Sequence, residues 1–437
     1  MRSHLFKYTL SAFMLVPMFG LFGCHHSKSA EQEPNTSDSL DVINISDKED
    51  NQKAKTTDVT KPQSAMLLFD ASISMKGYLT SSQDSRFRGV ISSFLTFAPQ
   101  VKCYLYGEKQ SPAIEKQDFK NKLDNRNIAW SSESDLITMV ETMAKHVEQT
   151  GNVCFLVTDA IMSGSNKQIV QSPNKSFNII HREEMSNDLA SIIDNYADSM
   201  SALIVRYKAK FDGTYSCYNN ASKTLTNKDR PFFIIVLGKW EHVKYIEEKL
   251  KTAKGKGSLT TAYDNLAMIG DQPSYRKIKL SYSEGIKTNP SQSNKLIIKK
   301  EFKQDNITLS SDIGALPDYM QAVEYMNQNV DFIVEYRNKA PKPLDNSCYD
   351  ISINQENGKT IMKLNIKASR IISSKLTFRL KYAFPGWINQ YSDDDDSDIS
   401  NSNLDKLNKT FNLKYFVAGF THLQKEQYIK EQTLEFK

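Results

Sequence analysis

The sequence predicts an α/β domain with a mostly parallel sheet over residues 64–255, followed by a mainly β, sandwich-like domain over 256–437. Three observations carry this expectation. Up to residue 255, short apolar runs alternate with stretches whose apolar residues recur at three- and four-residue steps, the pattern of buried parallel strands joined by crossover helices. Beyond that point, helical periodicity becomes scarce and alternation at every second residue takes over. Before residue 64, residues 25–63 contain no aromatic side chain and are rich in Ser, Asp, Asn, Lys, Glu and Thr. Such a segment buries too little apolar surface to order itself and reads as a flexible tether.

The elements follow in order. AMLLF (65–69) reads as a buried strand. RFRGVISSFL continues as a helix, with Phe87, Val90, Ile91, Phe94 and Leu95 on one face. VKCYLYG (101–107) is a second strand and SDLITMVETMAKHV (134–147) a second helix, striped by Leu136, Val140, Met143 and Val147. NVCFLVTD (152–159) is a third strand, apolar for nearly its whole length. A helix over 187–200 buries Leu189, Ile192, Ile193 and Tyr196. The strand 202–211 runs into Asp212-Gly213, a hairpin turn signal. The strand 230–238 and the helix EHVKYIEEKL close the first domain. In the second, 277–283, 295–302, 330–337, 360–369, 375–384 and 411–420 read as strands and 317–326 as a helix. The alternation is cleanest where Met362, Leu364 and Ile366 oppose Lys363, Asn365 and Lys367.

The N-terminus reads as a targeting segment over residues 1–23. Arg2 and Lys7 flank a short apolar core, TLSAFMLVPMFGLF (9–22), too short for a comfortable membrane span. LFGC, ending at Cys24, resembles the lipobox of bacterial lipoproteins, although Phe22 is bulkier than the residue usual there. The resemblance implies that Cys24 becomes the acylated first residue of a lipid-anchored envelope protein, each buried CH₂ of its chains contributing about 0.8 kcal/mol. The residue after Cys24 is His25 rather than Asp, which favours the outer membrane.

Composition excludes little but narrows the partners. The net charge is +5, from 56 basic and 51 acidic residues, with no Lys/Arg patch interleaved with aromatics, so nucleic-acid binding has no support. An exported chain permits disulfides. Cys103, Cys154, Cys217 and Cys348 nevertheless show no paired spacing and read as buried free thiols, with one bridge as the alternative. SDDDDSD (392–398) reads as a solvated loop, with a calcium site as the alternative although known ligand spacing is missing.

The chemistry concentrates at LLFDASISMKG (67–77). Asp70 ends the first strand, at the edge of an open α/β sheet where ligands bind. Asp159 ends another, and if the two strands are neighbours the carboxylates converge. Asp70, Ser72 and Ser74 spell D-x-S-x-S, followed by Met75 and Gly77. Here the chain resembles the von Willebrand factor type A (vWA) family and its metal-ion-dependent adhesion site (MIDAS). The resemblance covers residues 64–255 and implies a vWA/Rossmann-like sheet. Carried over by position, it implies a metal site of Asp70, Ser72, Ser74, Ser134 (where the family has Thr) and Asp159; Ala160 stands where the family usually has Gly. Hydroxyl and carboxylate oxygens suit a hard divalent cation, Mg²⁺ first, with Mn²⁺ or Ca²⁺ possible. Ser72, Ser74 and Ser134 would bind directly, Asp70 and Asp159 through waters, and an open position would take a carboxylate from a protein partner. Asp and Ser after a strand also cap helices, the cheaper explanation, and it applies to Ser134 and Asp135 as well.

Three functions compete: a lipid-anchored protein-binding module, a metal-dependent phosphatase-like hydrolase at the same site, and a scaffold with a degenerate metal loop. A metal with an open position can activate water. Against hydrolysis, a second Asp is missing at Ser72, no G-x-S-x-G elbow is present, and no histidine lies in the three loops. No convincing catalytic constellation emerges.

Overall fold

The computed structural model describes residues 59–437 except 81–85, 133, 162–174, 197–199, 219–220, 257–261, 271–274, 276–277, 283–285, 290–291, 299–304, 338, 372–373, 425–427 and 437. The expected signal peptide, Cys24 and nearly all of the tether lie outside the described residues.

A seven-stranded mixed sheet organises the first half. Its strands are β1 (Ser64–Asp70), β2 (Gln100–Tyr106), β3 (Ile114–Glu115), β4 (Val153–Thr158), β5 (Met200–Ser216), β6 (Ser222–Lys239) and β7 (Asn265–Ile269), in the order β3-β2-β1-β4-β6-β5-β7. Helices α1 (Lys76–Thr80), α2 (Arg86–Phe94), α3 (Lys116–Asp124), α4 (Leu136–Thr150), α5 (Lys175–Tyr196) and α6 (Trp240–Gly255) connect them. Odd residues of β1, such as Leu67 and Phe69, join one core with α2 and α6; even ones, such as Met66 and Leu68, join a second core with α4 and α5. That two-sided burial is why β1 and β4 are almost continuously apolar.

The sheet is not mostly parallel, as expected from sequence. β1 runs parallel to β2 and β4, but the other four pairings are antiparallel. No helix separates β5 from β6, and a parallel return needs a long crossover, so these strands must form a hairpin. The turn expected at Asp212-Gly213 is instead a bulge, and β5 continues to Ser216. The glycines there serve a close approach: a Cβ on Gly77 would lie 2.3 Å from the Phe211 ring, and one on Gly213 would lie 3.1 Å from the Gly77 Cα. Helix α1 is thereby pressed against β5. Because Arg206 lies level with Phe233, and Phe233 with Thr158, the rest of the hairpin projects past the end of β4 as an arm.

The division at residue 255 does not coincide with the end of the sheet, because β7 adds to its edge. From residue 275 the chain builds two further sheets around one core. Strands β8 (Ser281–Tyr282), β9 (Ile286–Asn289), β10 (Gln292–Ile298), β11 (Asn306–Asp312), β12 (Val330–Tyr336), β13 (Lys342–Pro343), β14 (Tyr349–Glu356), β15 (Lys359–Lys367) and β16 (Ser374–Lys381) precede β17 (Ser392–Asp393), β18 (Thr410–Phe411) and β19 (Tyr428–Phe436). They form a six-stranded sheet β13-β12-β16-β19-β10-β9, a four-stranded sheet β14-β15-β11-β8 and a separate two-stranded pair β17-β18. Met362, Leu364 and Ile366 of β15 share that core with Leu376, Phe378 and Leu380 of β16, as their alternation requires. The expected helix over 317–326 becomes a 3₁₀ turn followed by α7 (Val323–Asn329). Of the strand expected over 277–283, Ser281–Tyr282 is the part that pairs among the described residues.

Residues 387–423 return to the first half as a strap. It carries α8 (Trp387–Gln390), α9 (Leu404–Leu407) and α10 (Leu413–Gly419). The expected strand over 411–420 is therefore mostly helix. Leu413, Phe416, Val417 and Phe420 recur at helical spacing and are buried against α5, each contributing about 1.5–3 kcal/mol. Ile399 and Leu407 enter the core on the opposite face, so the strap wraps the sheet. Three buried arginines hold it through main-chain oxygens. Arg182 donates to the Asp394 carbonyl, Arg206 to Asn408 at 2.8 Å and Arg230 to Leu407 and Lys409 at 3.0 Å each. All four described cysteines are buried and free.

Candidate metal centre

Strand pairing brings the two carboxylates together. The parallel register sets Phe69 beside Val157, so β1 and β4 end side by side, with Asp70 level with Thr158 and Asp159 next along. The third loop is pinned by backbone bonds. Ser131 N donates to the Ala71 carbonyl and Ile73 N to the Ser131 carbonyl, each at 2.8 Å. That bridge carries the start of α4, and with it Ser134, to the ends of the strands.

All five expected residues converge. Ser72 N donates to Asp70 Oδ1 at 3.0 Å and Ser134 Oγ to Asp70 Oδ2 at 3.0 Å. The hydroxyls of Ser72 and Ser74 lie 3.0 Å apart, and Ser74 also reaches Asp159. The helix-cap alternative separates by residue. Asp135, not Ser134, caps α4, accepting from Thr138 N at 3.0 Å. Ser72 stands at the N-cap of the 3₁₀ turn 73–75 but makes no capping hydrogen bond through its side chain. The sequence reading missed Thr158, whose Oγ1 donates to Asp70 Oδ2 at 2.8 Å. Its signal was the alternation of β4, which turns Thr158 to the same face as Asp70.

Asp159 is held by the turn after it. Ala160 N donates to Thr158 Oγ1 at 3.0 Å and Ile161 N to Asp159 Oδ1 at 3.1 Å. Ala160 adopts φ +58° to make that turn, a left-handed conformation that glycine takes without the Cβ penalty of roughly 1–2 kcal/mol.

The electrostatics are unusual for so small a cluster. Asp70 is fully buried and Asp159 only 3% exposed. Neither makes an ion pair among the described residues. Burial raises the Asp70 carboxyl above its ordinary range despite hydrogen bonds from Ser72, Thr158 and Ser134. Asp159 is pushed up to about 7, first by burial and then by the Asp70 charge; Ser74, Ile161 N and the charge of Arg230 pull the other way. Two adjacent carboxylates in a low-dielectric site need a proton or a cation between them. The donor set of hydroxyls and carboxylates fits a hard divalent ion. Among the described residues no cluster of three or more His, Cys, Asp or Glu forms, so a metal here would rest on the serines and these two acids.

The acidic run 392–398 behaves differently. Lys406 Nζ donates to Asp393 Oδ1 at 3.0 Å and to the Asp395 carbonyl, and pairs with Asp398 at 3.2 Å. The Lys406 ammonium thus draws on oxygens of the same run that the calcium alternative would use. Lys414 pairs with Asp394 at 2.8 Å. Asp396 accepts from the Tyr215 hydroxyl at 2.7 Å and from Tyr218 N at 3.0 Å.

Compared with known proteins, the chain matches no family model, no curated protein and no solved structure.

Proposed function

We propose that this chain is a lipid-anchored envelope protein whose α/β half, a vWA-like domain, binds a protein partner through a divalent cation at Asp70, Ser72, Ser74, Ser134 and Asp159. One observation carries the reading: two buried carboxylates lie side by side without an ion pair, ringed by serine and threonine hydroxyls. Ser72 and Ser74 would bind the ion directly with Ser134, while Asp70 and Asp159 orient its waters. The bound ion supplies an electrophilic position for a carboxylate. The chain's own groups fix the hydroxyls and exclude bulk water, since Ser72 and Ser134 are nearly as buried as the acids. Beside them Ile73, 49% exposed, offers an apolar contact to an arriving acidic side chain.

Calorimetric titration of the full chain with Mg²⁺ or Mn²⁺ tests the site. Wild type binds, and Asp70→Ala weakens binding by about 10–100-fold, the range for a group that orients a metal's inner ligands. Absence of binding by wild type rejects the reading in favour of a scaffold. Turnover on a panel of phosphate esters, lost with Asp70→Ala, would instead make the site hydrolytic. The anchor belongs to the same reading, and Cys24→Ala releases the protein from the membrane fraction; retention there would reject acylation at this cysteine.

A further inference from the structure

Arg230 lies between the candidate metal centre and the strap. It is 1% exposed. Its Nη1 donates to the carbonyls of Lys406, Leu407 and Lys409 at 3.2, 3.0 and 3.0 Å. Its guanidinium sits 4.6 Å from the centre of the Tyr215 ring. The Tyr215 hydroxyl holds Asp396, which is 2% exposed. On its other side, β6 runs antiparallel to β4 with Phe233 level with Thr158, so Arg230 lies beyond the end of β4, where the chain carries Asp159. The next residue, Pro231, accepts a hydrogen bond from Tyr78 in α1, which follows the Asp70–Ser74 loop. The positive charge acts on both Asp159 and Asp396.

We propose that Arg230 is a positioning residue that couples cation binding at the Asp70–Asp159 site to docking of the strap. The inference rests on the metal-site reading above. A dication entering the site meets a buried positive charge that water does not screen. The docked strap opposes that repulsion by presenting three carbonyl dipoles and the Asp396 carboxylate to the same guanidinium. Cation affinity is therefore higher with the strap docked, and by reciprocity a bound cation holds the strap down. Arg206, which donates to Asn408 and lies 3.8 Å from the Tyr391 ring centre, anchors the same strap away from the acids.

The test uses the full chain, Mg²⁺ alone as probe, calorimetry for affinity and hydrogen exchange for the strap. Asp396→Asn keeps the shape and removes the negative charge, and lowers Mg²⁺ affinity several-fold. Arg230→Met removes the positive charge and raises affinity by about tenfold, while speeding exchange across 391–411. Arg230→Lys keeps the charge, loses the geometry of the carbonyl contacts, and speeds exchange without raising affinity. In wild type, Mg²⁺ slows exchange across 391–411. Opposite affinity changes in the Asp396 and Arg230→Met variants are the signature, because simple damage would weaken binding in both. Wild-type binding with the two variants unchanged, or both weakened, overturns the coupling alone. No binding by wild type overturns the metal-site reading and the coupling with it.

Discussion

Two acidic places in this chain differ in a way their sequences conceal. Residues 393–396 are four consecutive aspartates, whereas Asp70 and Asp159 stand 89 positions apart, each alone among apolar residues. Yet the dense run has partners at hand: Lys406 pairs with Asp393 and Asp398, Lys414 pairs with Asp394, and Asp396 accepts from Tyr215 and Tyr218. The sparse pair is buried, and its two charges are brought together by one parallel strand pairing. This run of acids has lysines and tyrosine donors to satisfy it even where Asp393 and Asp396 are buried. A carboxylate at the end of a buried strand has only what the fold supplies. Electrostatic demand for a cation thus follows burial and isolation rather than local acidic density.

The largest expected difference between the two places is in cation affinity. Asp70→Ala weakens Mg²⁺ binding by about 10–100-fold, whereas Asp395→Ala leaves it unchanged by the same calorimetry. Equal losses would break the contrast. The next effect is in pH dependence. The Asp159 pKa rises from about 3.9 in an unfolded chain to about 7 on folding. Between these values the folded state keeps a proton that the unfolded state has released. The cation-free protein therefore loses stability as pH rises from about 4 to about 7, by on the order of 4 kcal/mol, and levels off above. Urea unfolding across that range checks the slope, which saturating Mg²⁺ reduces by favouring the ionised pair. A flat profile without cation would mean that the pair is compensated in some other way.

The smallest effect sharpens the comparison from the other side. Lys406→Met removes the ammonium from the acidic loop and leaves Asp393, only 8% exposed, without its ion pair. Stability falls by about 1–2 kcal/mol, and millimolar Ca²⁺ restores part of it by taking the vacated position. Thermal unfolding with and without Ca²⁺ reads this directly. No Ca²⁺ response would show that the loop lacks ligand geometry even when its own cation is gone.

Much of the candidate site was legible because its signals are local. Asp70, Ser72 and Ser74 follow an apolar strand, Asp159 ends another, and Ser134 precedes a striped helix. What escaped was set by contacts across the fold. Thr158 was passed over because a threonine at the end of a strand looks like strand chemistry, although the β1–β4 register aims it at Asp70. Arg230 in the sequence marks only the start of a strand; its approach to the site depends on β6 lying antiparallel beside β4. The helix α10 was within reach of the sequence, since Leu413, Phe416, Val417 and Phe420 keep a helical period, but their bulk and aromaticity favour strand by composition.

The sequence by itself determined the α/β character of the first half, the alternating strands of the second and the residue types of the candidate site. Periodicity and strand-end position are properties of neighbouring residues, so they survive without a fold. Only the tertiary structure decided that the sheet is mixed, that residues 387–423 wrap back across it, and that the acidic run is filled by its own lysine. Each of those outcomes depends on which distant surfaces meet, and burial then fixes which charges lack water and need a partner.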